Sequence, residues 1–284
     1  MNEPRGSASS RQVELAYRLS VVEERVAAAC ADAGRARDEV VLVVVTKFFP
    51  ASDVRLLLDL GVRDIGESRA QEATDKFADA LLGAESDPSR VGGGARLATH
   101  FIGQVQTNKA AAVVGWADVV HAVDRPKLVR ALDRAAGAAG KRPRVLVQVA
   151  LDGGDADDAG SSDAGGGDGG GDGGGGDGGG GGGGGSRSAG RAGLLPEDAR
   201  GLADQIAGCD HLRLGGVMAV APLGADPDVA FGLLAKVAQG IRGDHADATW
   251  ISAGMSGDLE AAVRHGATHL RVGTAILGSR PSLR

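Results

Sequence analysis

Val40-Val41-Leu42-Val43-Val44-Val45-Thr46-Lys47 decides how this chain is read. An unbroken aliphatic run with no polar alternation describes a strand buried on both faces, the habit of parallel sheets covered by helices. Lys47 closes the run. The carboxyl end of a parallel strand is where α/β folds take their ligands. A neutral amine there attacks aldehydes, which makes Lys47 a candidate Schiff-base residue. The alternative is a lysine that snorkels at a strand end to keep its charge in water.

Outward from this run, strand-like and helix-like segments alternate. The pattern predicts strands at Val40–Lys47, Asp64–Ser68, Thr99–Gln104, Val119–Asp124, Arg144–Leu151, Leu212–Ala221, Thr249–Met255 and His269–Leu277. Helical periodicity fills the intervals, at Ser52–Leu60, Arg69–Leu82, Asn108–Val114, Arg125–Ala139, Pro196–Gly208, Pro227–Arg242 and Gly257–His265. Ser52 before Asp53 reads as a helix start, and Gly61 and Gly266 as helix stops. This strict alternation predicts an α/β fold, a single TIM-type (β/α)8 barrel. An additional helix, Ser10 to Ala33, precedes the first strand. Its apolar positions Val13, Ala16, Tyr17, Leu19, Val22 and Val26 are expected to form a buried stripe. The last strand leaves no room for a full eighth helix, so this N-terminal helix is expected to cover the gap between the last and first strands.

Asp152 to Gly190 is low complexity, built from Gly, Asp, Ser and Ala. Such a segment cannot bury apolar surface and reads as a disordered, mildly acidic insertion within one domain spanning 1–284. A phosphate loop is a short fixed nest followed directly by a helix, which this tract is not. Val91–Ala95 reads as a second surface loop.

The 284 residues carry a formal net charge of −6 and are 43% hydrophobic. That supports a real core and argues against a nucleic-acid surface, which needs clustered Lys and Arg. Cys30 and Cys209 are the only cysteines and form no C-x-x-C pair. Neither a zinc site nor a disulfide framework is supported, and a reducing compartment is the simpler reading. Met1 to Ser10 lacks an apolar signal core, and no run is long enough to span a bilayer. The protein therefore reads as cytoplasmic, with no membrane attachment.

Three constellations carry candidate chemistry. Trp250-Ile251-Ser252-Ala253-Gly254-Met255-Ser256-Gly257 closes a strand and opens a helix, and its hydroxyls and N–H groups suit a phosphate. An ordinary βα turn is the alternative. Arg271-Val272-Gly273-Thr274-Ala275 lies on the last strand. Gly273 permits close approach of a ligand, Thr274 offers a hydroxyl, and an inward Arg271 needs a partner because a guanidinium cannot shed its charge. That partner is either a carboxylate within the barrel or a ligand. Together with Lys47 these residues describe a pyridoxal phosphate site: the lysine forms the imine, the turn holds the phosphate, and Arg271 donates to the ring nitrogen. Arginine only donates, so the ring nitrogen facing it stays unprotonated and is a weaker electron sink. The third constellation is Thr99-His100-Phe101-Ile102-Gly103-Gln104-Val105-Gln106-Thr107-Asn108-Lys109. His100 is either an acid/base or a structural histidine. Gln106, Asn108 and Lys109 either line a polar entrance or cap the following helix.

These blocks resemble the pyridoxal phosphate homeostasis proteins, relatives of the N-terminal barrel of alanine racemase. The resemblance rests on Val44-Val45-Thr46-Lys47, Gly66-Glu67-Ser68, His100 to Gly103 with Gln106 to Lys109, His121-Ala122-Val123-Asp124, Gly216-Val217-Met218-Ala219, Ser252 to Ser256 and Arg271 to Ala275, in family order. It implies pyridoxal 5'-phosphate on Lys47, a phosphate turn at Ser252, Gly254, Met255 and Ser256 with Gly273 and Thr274, and Arg271 on the ring nitrogen. Three departures stand out. Ser68-Arg69 replaces the family's Asn-Tyr, Arg191-Ala192-Gly193 replaces Lys-Ser-Gly, and Ala253 replaces a methionine.

The resemblance implies a protein that holds the cofactor as a lysine imine and serves intracellular cofactor homeostasis, with pyridoxal-phosphate-dependent apoenzymes as possible recipients; the absence of a dimerising second domain leans toward a monomer. An amino-acid racemase is the rival reading. Racemases of this kind complete the site with a tyrosine from a second, β-rich domain of a partner subunit, and this chain has only Tyr17. An aldolase without cofactor would explain Lys47 but not the phosphate turn with Arg271.

Overall fold

The computed structural model describes residues 9–81, 97–152 and 193–279. The insertion read at Asp152–Gly190, beyond Asp152 itself, and the loop at Val91–Ala95 lie outside the described residues. Eight parallel strands close into a barrel in sequence order: β1 (Val41–Val45), β2 (Asp64–Glu67), β3 (Ala98–Phe101), β4 (Val119–Val123), β5 (Arg144–Gln148), β6 (Arg213–Met218), β7 (Trp250–Ser252) and β8 (His269–Val272). Closure comes from β1 against β8, with Val41 opposite His269 and Val44 opposite Val272. The strands are shorter than predicted. The eighth ends at Val272, and Thr274–Leu277 form a short helix, α9 by chain order, instead of extending the strand.

The helices follow the predicted order: α1 (Ser10–Asp32), α2 (Ala51–Asp59), α3 (Ala70–Leu81), α4 (Ala110–Trp116), α5 (Pro126–Ala138), α6 (Ala199–Ala207), α7 (Pro227–Asp244) and α8 (Leu259–Arg264). Gly61 and Gly266 adopt positive φ just after α2 and α8, as helix-stop glycines do. Ser52 does not cap α2; the helix starts one residue earlier, behind Pro50. The main core lies between barrel and helices, where Leu57, Ile65, Leu132, Leu202, Leu234 and Ile241 are fully buried. Each such side chain contributes about 1.5–3 kcal/mol relative to exposure.

Helix α1 covers the seam beside the last strand, packing on α8, α9 and α2. Its buried face is Leu15, Val22, Val26, Ala29 and Cys30. Val13 and Tyr17, expected in the stripe, are exposed on the opposite face at 57% and 70%. The stripe steps through Leu15, with Leu19 partly buried, at helical spacing. Arg11 anchors the start of α1 by donating to both Asp53 carboxylate oxygens, at 3.3 and 2.6 Å, and to the Leu277 carbonyl at 3.0 Å. Among the described residues no helix is long and apolar enough to cross a membrane.

Candidate functional site

Lys47 stands two residues beyond β1, in a turn at the carboxyl-terminal mouth of the barrel. Phe48 follows with φ of 72°, a left-handed conformation that costs a non-glycine residue energy and marks a constrained site. The turn is held by its neighbours. Phe49 N–H donates to the Thr46 carbonyl at 3.0 Å, and Phe48 N–H donates to Glu72 Oε1 at 3.2 Å. Behind it, Thr46 Oγ1 donates to Glu67 Oε1 at 2.7 Å, and Lys76 Nζ donates to the same oxygen at 2.6 Å and to the Thr46 carbonyl at 3.0 Å. Burial pushes the Glu67 carboxyl upward, while the bonds from Lys76 and Thr46 pull it back. Sequence reasoning missed this support, although Glu72 and Lys76 on α3 stand four apart with glutamate first, the better order for a helical ion pair. Among the described residues no acidic group pairs with the Lys47 amine.

The floor of the mouth is made by Arg271, which is 5% exposed. Its Nη1 donates to Ser252 Oγ at 2.6 Å and its Nη2 to the Ala219 carbonyl at 2.9 Å. Both acceptors are neutral, so the carboxylate partner raised as one alternative is not there among the described residues. Desolvation pulls the guanidinium down to about 10, with the Asp258 charge acting against it. Ser252 is fully buried, and its hydroxyl is engaged by Arg271 and by His121 Nδ1 at 2.9 Å.

The turn after β7 rises from this floor to the surface. Gly254 takes φ of 89°, and a Cβ there would meet Ala262 Cβ at 2.6 Å, so the turn needs glycine twice over. Met255 and Thr274 are exposed at the rim, and Ser256 and Gly273 are half-buried. Arg25 of α1 props the turn from outside: its Nη1 donates to the Ser256 carbonyl at 2.6 Å and its Nη2 to Glu260 at 2.7 Å. Gly273 lies against β1, where a Cβ would approach the Val45 carbonyl oxygen at 3.0 Å. This brings the Arg271–Thr274 stretch beside the strand that ends at Lys47.

Ser68 is half-buried on the loop after β2, and its carbonyl oxygen would lie 2.4 Å from a Cβ placed on Gly103. Arg69, in the position of the family's tyrosine, lies over the Phe48 ring with its guanidinium carbon 4.9 Å from the centroid. Gln106, Asn108 and Lys109 are exposed, and none caps the following helix with its side chain. His100 is not at the mouth. It is fully buried inside the barrel, where its Nδ1 faces His121 Nε2 at 2.9 Å. The residues brought together at the mouth are therefore Lys47, Ser68, the Ser252–Ser256 turn, Arg271, Gly273 and Thr274.

This donor set fits pyridoxal phosphate. A buried cation bonded only to neutral oxygens suits a ring nitrogen that accepts, a lysine without an acidic partner suits an aldehyde, and a glycine turn suits a phosphate.

The sequence profile described as the alanine racemase N-terminal domain matches residues 185–281. The pyridoxal phosphate homeostasis protein of Mycobacterium tuberculosis strain H37Rv is 39% identical over 278 residues, covering 95% of this chain and 94% of that protein. Among solved structures, an unknown protein from Bifidobacterium adolescentis superposes with a TM-score of 0.76 at 28% identity, covering 96% of this chain and 98% of that one. PipY of Synechococcus elongatus, solved with pyridoxal phosphate bound, superposes with a TM-score of 0.66 at 26% identity, covering 93% of this chain and 100% of that one.

Proposed function

Because this chain belongs to the pyridoxal phosphate homeostasis protein family, we propose that it holds pyridoxal 5'-phosphate on Lys47 and serves cofactor homeostasis rather than a dedicated reaction. The observation that carries the reading is Arg271, a guanidinium buried at the floor of the mouth with only Ser252 and a carbonyl as partners. It would donate to the ring nitrogen. The Ser256 and Gly257 N–H groups, with Gly273 and Thr274, would take the phosphate; Met255 N–H donates instead to Asp258 Oδ1 at 2.6 Å, and that bond and the Arg25 bond to Ser256 keep the turn in place. Ser252 acts from below as the oxygen that orients Arg271. The Thr46–Glu67–Lys76 cluster fixes the turn that presents the Lys47 amine. Bound there, the cofactor supplies an aldehyde that exchanges reversibly between amines.

A racemase is disfavoured by the same geometry. Two-sided proton transfer needs a second base, and Tyr17, the only tyrosine, is 70% exposed on the outer face of α1. The proposal extends to a cytoplasmic monomer whose whole chain forms one barrel domain and whose cofactor passes to apoenzymes. Wild-type protein mixed with pyridoxal phosphate is expected to gain a visible absorbance band that borohydride bleaches, fixing the added mass on Lys47. Lys47→Ala is expected to show no such band. A band that survives in Lys47→Ala, or none in wild type, overturns the reading.

A further inference from the structure

Five side chains from five strands form a continuous hydrogen-bonded chain through the barrel. Asp64 Oδ1 lies 3.0 Å from His100 Nε2, His100 Nδ1 lies 2.9 Å from His121 Nε2, His121 Nδ1 lies 2.9 Å from Ser252 Oγ, and Arg271 Nη1 lies 2.6 Å from the same hydroxyl. Strands β4 and β7 are not neighbours, so the His121–Ser252 bond crosses the lumen. His100, His121 and Ser252 are fully buried. Asp64 opens β2 at the amino-terminal end of the barrel, and its side chain remains 27% exposed.

With His100 in its neutral form, the two ends fix the direction of every bond. Arginine only donates, and a carboxylate only accepts. Asp64 therefore receives the His100 Nε2 proton, leaving neutral His100 Nδ1 as an acceptor. His121 must donate from Nε2, which leaves its Nδ1 to accept the Ser252 hydroxyl proton. Ser252 oxygen then accepts from Arg271. All dipoles point their positive ends at Asp64 and their negative ends at Arg271, and aligned bonds polarise one another. Burial first, then proximity to His100, Arg271 and His269, holds His121 well below the usual imidazole range. His269 on β8, its ring centroid 6.2 Å from that of His100, is pushed down to about 3 by burial and by the His100, Arg144 and Arg271 charges. Arg144 of β5 stacks on Trp250 near the amino-terminal end, with its guanidinium carbon 4.1 Å from the ring centroid. Asp64 is the acidic group on the relay.

We propose that Asp64, His100, His121 and Ser252 form a one-directional relay through the barrel, by which a carboxylate at the amino-terminal face positions Arg271 and sets the electrostatic environment of the cofactor at the opposite mouth. Asp64, His100 and His121 are positioning residues acting through Ser252 and Arg271. The coupling to the cofactor rests on the proposed function; the bond directions do not.

Two measurements on the full-length protein separate these. In ligand-free protein, long-range nitrogen–proton NMR of the imidazoles, assigned with His100→Gln and His121→Gln, is expected to show both His100 and His121 as the Nε2–H tautomer. Asp64→Asn, a mild change at a half-exposed site, lets an amide either accept or donate and is expected to produce mixed tautomers. An Nδ1–H tautomer at either histidine in wild type overturns the relay. In protein loaded with pyridoxal phosphate, the pH midpoint of the visible band is expected to fall by about half to one unit in Asp64→Asn, because losing the carboxylate charge and the uniform alignment of the dipoles raises the positive potential around Arg271. Asp247→Asn removes an equal charge that acts on Arg144 but lies off the relay, and it is expected to leave the midpoint unchanged. Equal midpoints in wild type and Asp64→Asn, or equal shifts in both variants, overturn the coupling. Failure of wild type to form a borohydride-reducible adduct at Lys47 sinks the proposed function instead, and the tautomers still decide the relay.

Discussion

Lys76 Nζ lies 2.6 Å from Glu67 Oε1, with the two side chains 5% and 0% exposed, and the pair is bonded to the turn that carries Lys47. Buried pairs of this kind are weak evidence for stability as a pair, but removing one partner strands a charge. Glu67→Ala leaves the buried Lys76 ammonium with only Glu72 Oε1, at 3.4 Å, as a carboxylate partner and is expected to cost about 1.5–3 kcal/mol, read as a drop in the urea midpoint. It also unfastens Thr46, so the yield of adduct on Lys47 is expected to fall. Lys76→Met is expected to cost less, because burial already favours the protonated form of Glu67. An unchanged urea midpoint in Glu67→Ala would remove this account of the turn.

The pair of Arg25 with Glu260 gives the seam a pH dependence. Arg25, by hydrogen bond, holds the Glu260 carboxyl below its ordinary value of 4.5. A carboxyl depressed in the folded state binds fewer protons there than in the unfolded chain, so stability rises with pH through that window. The contribution is present above about pH 4.5 and is lost as pH falls through the lower folded value. Since Arg25 also holds the Ser256 carbonyl, acid is expected to loosen the phosphate turn along with α1. In a pH series of thermal unfolding, Glu260→Gln should flatten the decline below pH 4.5 relative to wild type. An acid limb identical in the two proteins would show that the pair contributes nothing.

The barrel was legible because parallel strands buried on both faces leave aliphatic runs, and β1 is the clearest of them. The placement of Lys47 and Arg271 at the barrel mouth was legible for the same reason: a charge at the end of such a run, or within one, has few innocent places to go. The buried face of α1 was misread because Val13 and Tyr17 fit a helical stripe as well as Leu15 does, and only packing against α8 and α9 selects one. The relay was not legible. His100 and His121 lie on adjacent strands, but the partners that give them meaning, Asp64 and Ser252, are set by barrel closure and by strand register rather than by spacing. Arg25 and Lys76 were hidden because they serve the site from helices, behind the mouth rather than at it.

Gly103 offers a steric test of the Ser68 loop. A methyl group there would sit 2.4 Å from the Ser68 carbonyl oxygen, a backbone atom with little room to yield. Gly103→Ala is expected to destabilise by about 1–3 kcal/mol, the usual cost of overpacking. Because the strain is relieved by moving the Ser68 loop, the variant should also release pyridoxal phosphate faster on dilution than wild type does. Loss of stability with unchanged release would place Ser68 outside the cofactor's contacts.

The insertion at Asp152–Gly190 interrupts the chain at a place where the barrel holds both ends together. Leu194 pairs with Val149 as an isolated parallel bridge, Ala150 N–H donates to the Leu194 carbonyl at 2.7 Å, and Leu194 N–H donates to the Gln148 carbonyl at 2.8 Å. The chain thus returns beside the end of β5 before α6 begins. The entropy of closing a loop between two such fixed points grows only as the logarithm of its length, by about 0.6 kcal/mol per doubling. Shortening the loop therefore changes folding stability little, and slightly in the favourable direction. Deleting Asp152–Gly190 is expected to leave the visible band at full amplitude per mole of protein and the thermal midpoint unchanged or raised. The measurement is a titration of the deletion variant with pyridoxal phosphate beside wild type. A band reduced by half or more would mean that the insertion supplies a contact to the cofactor.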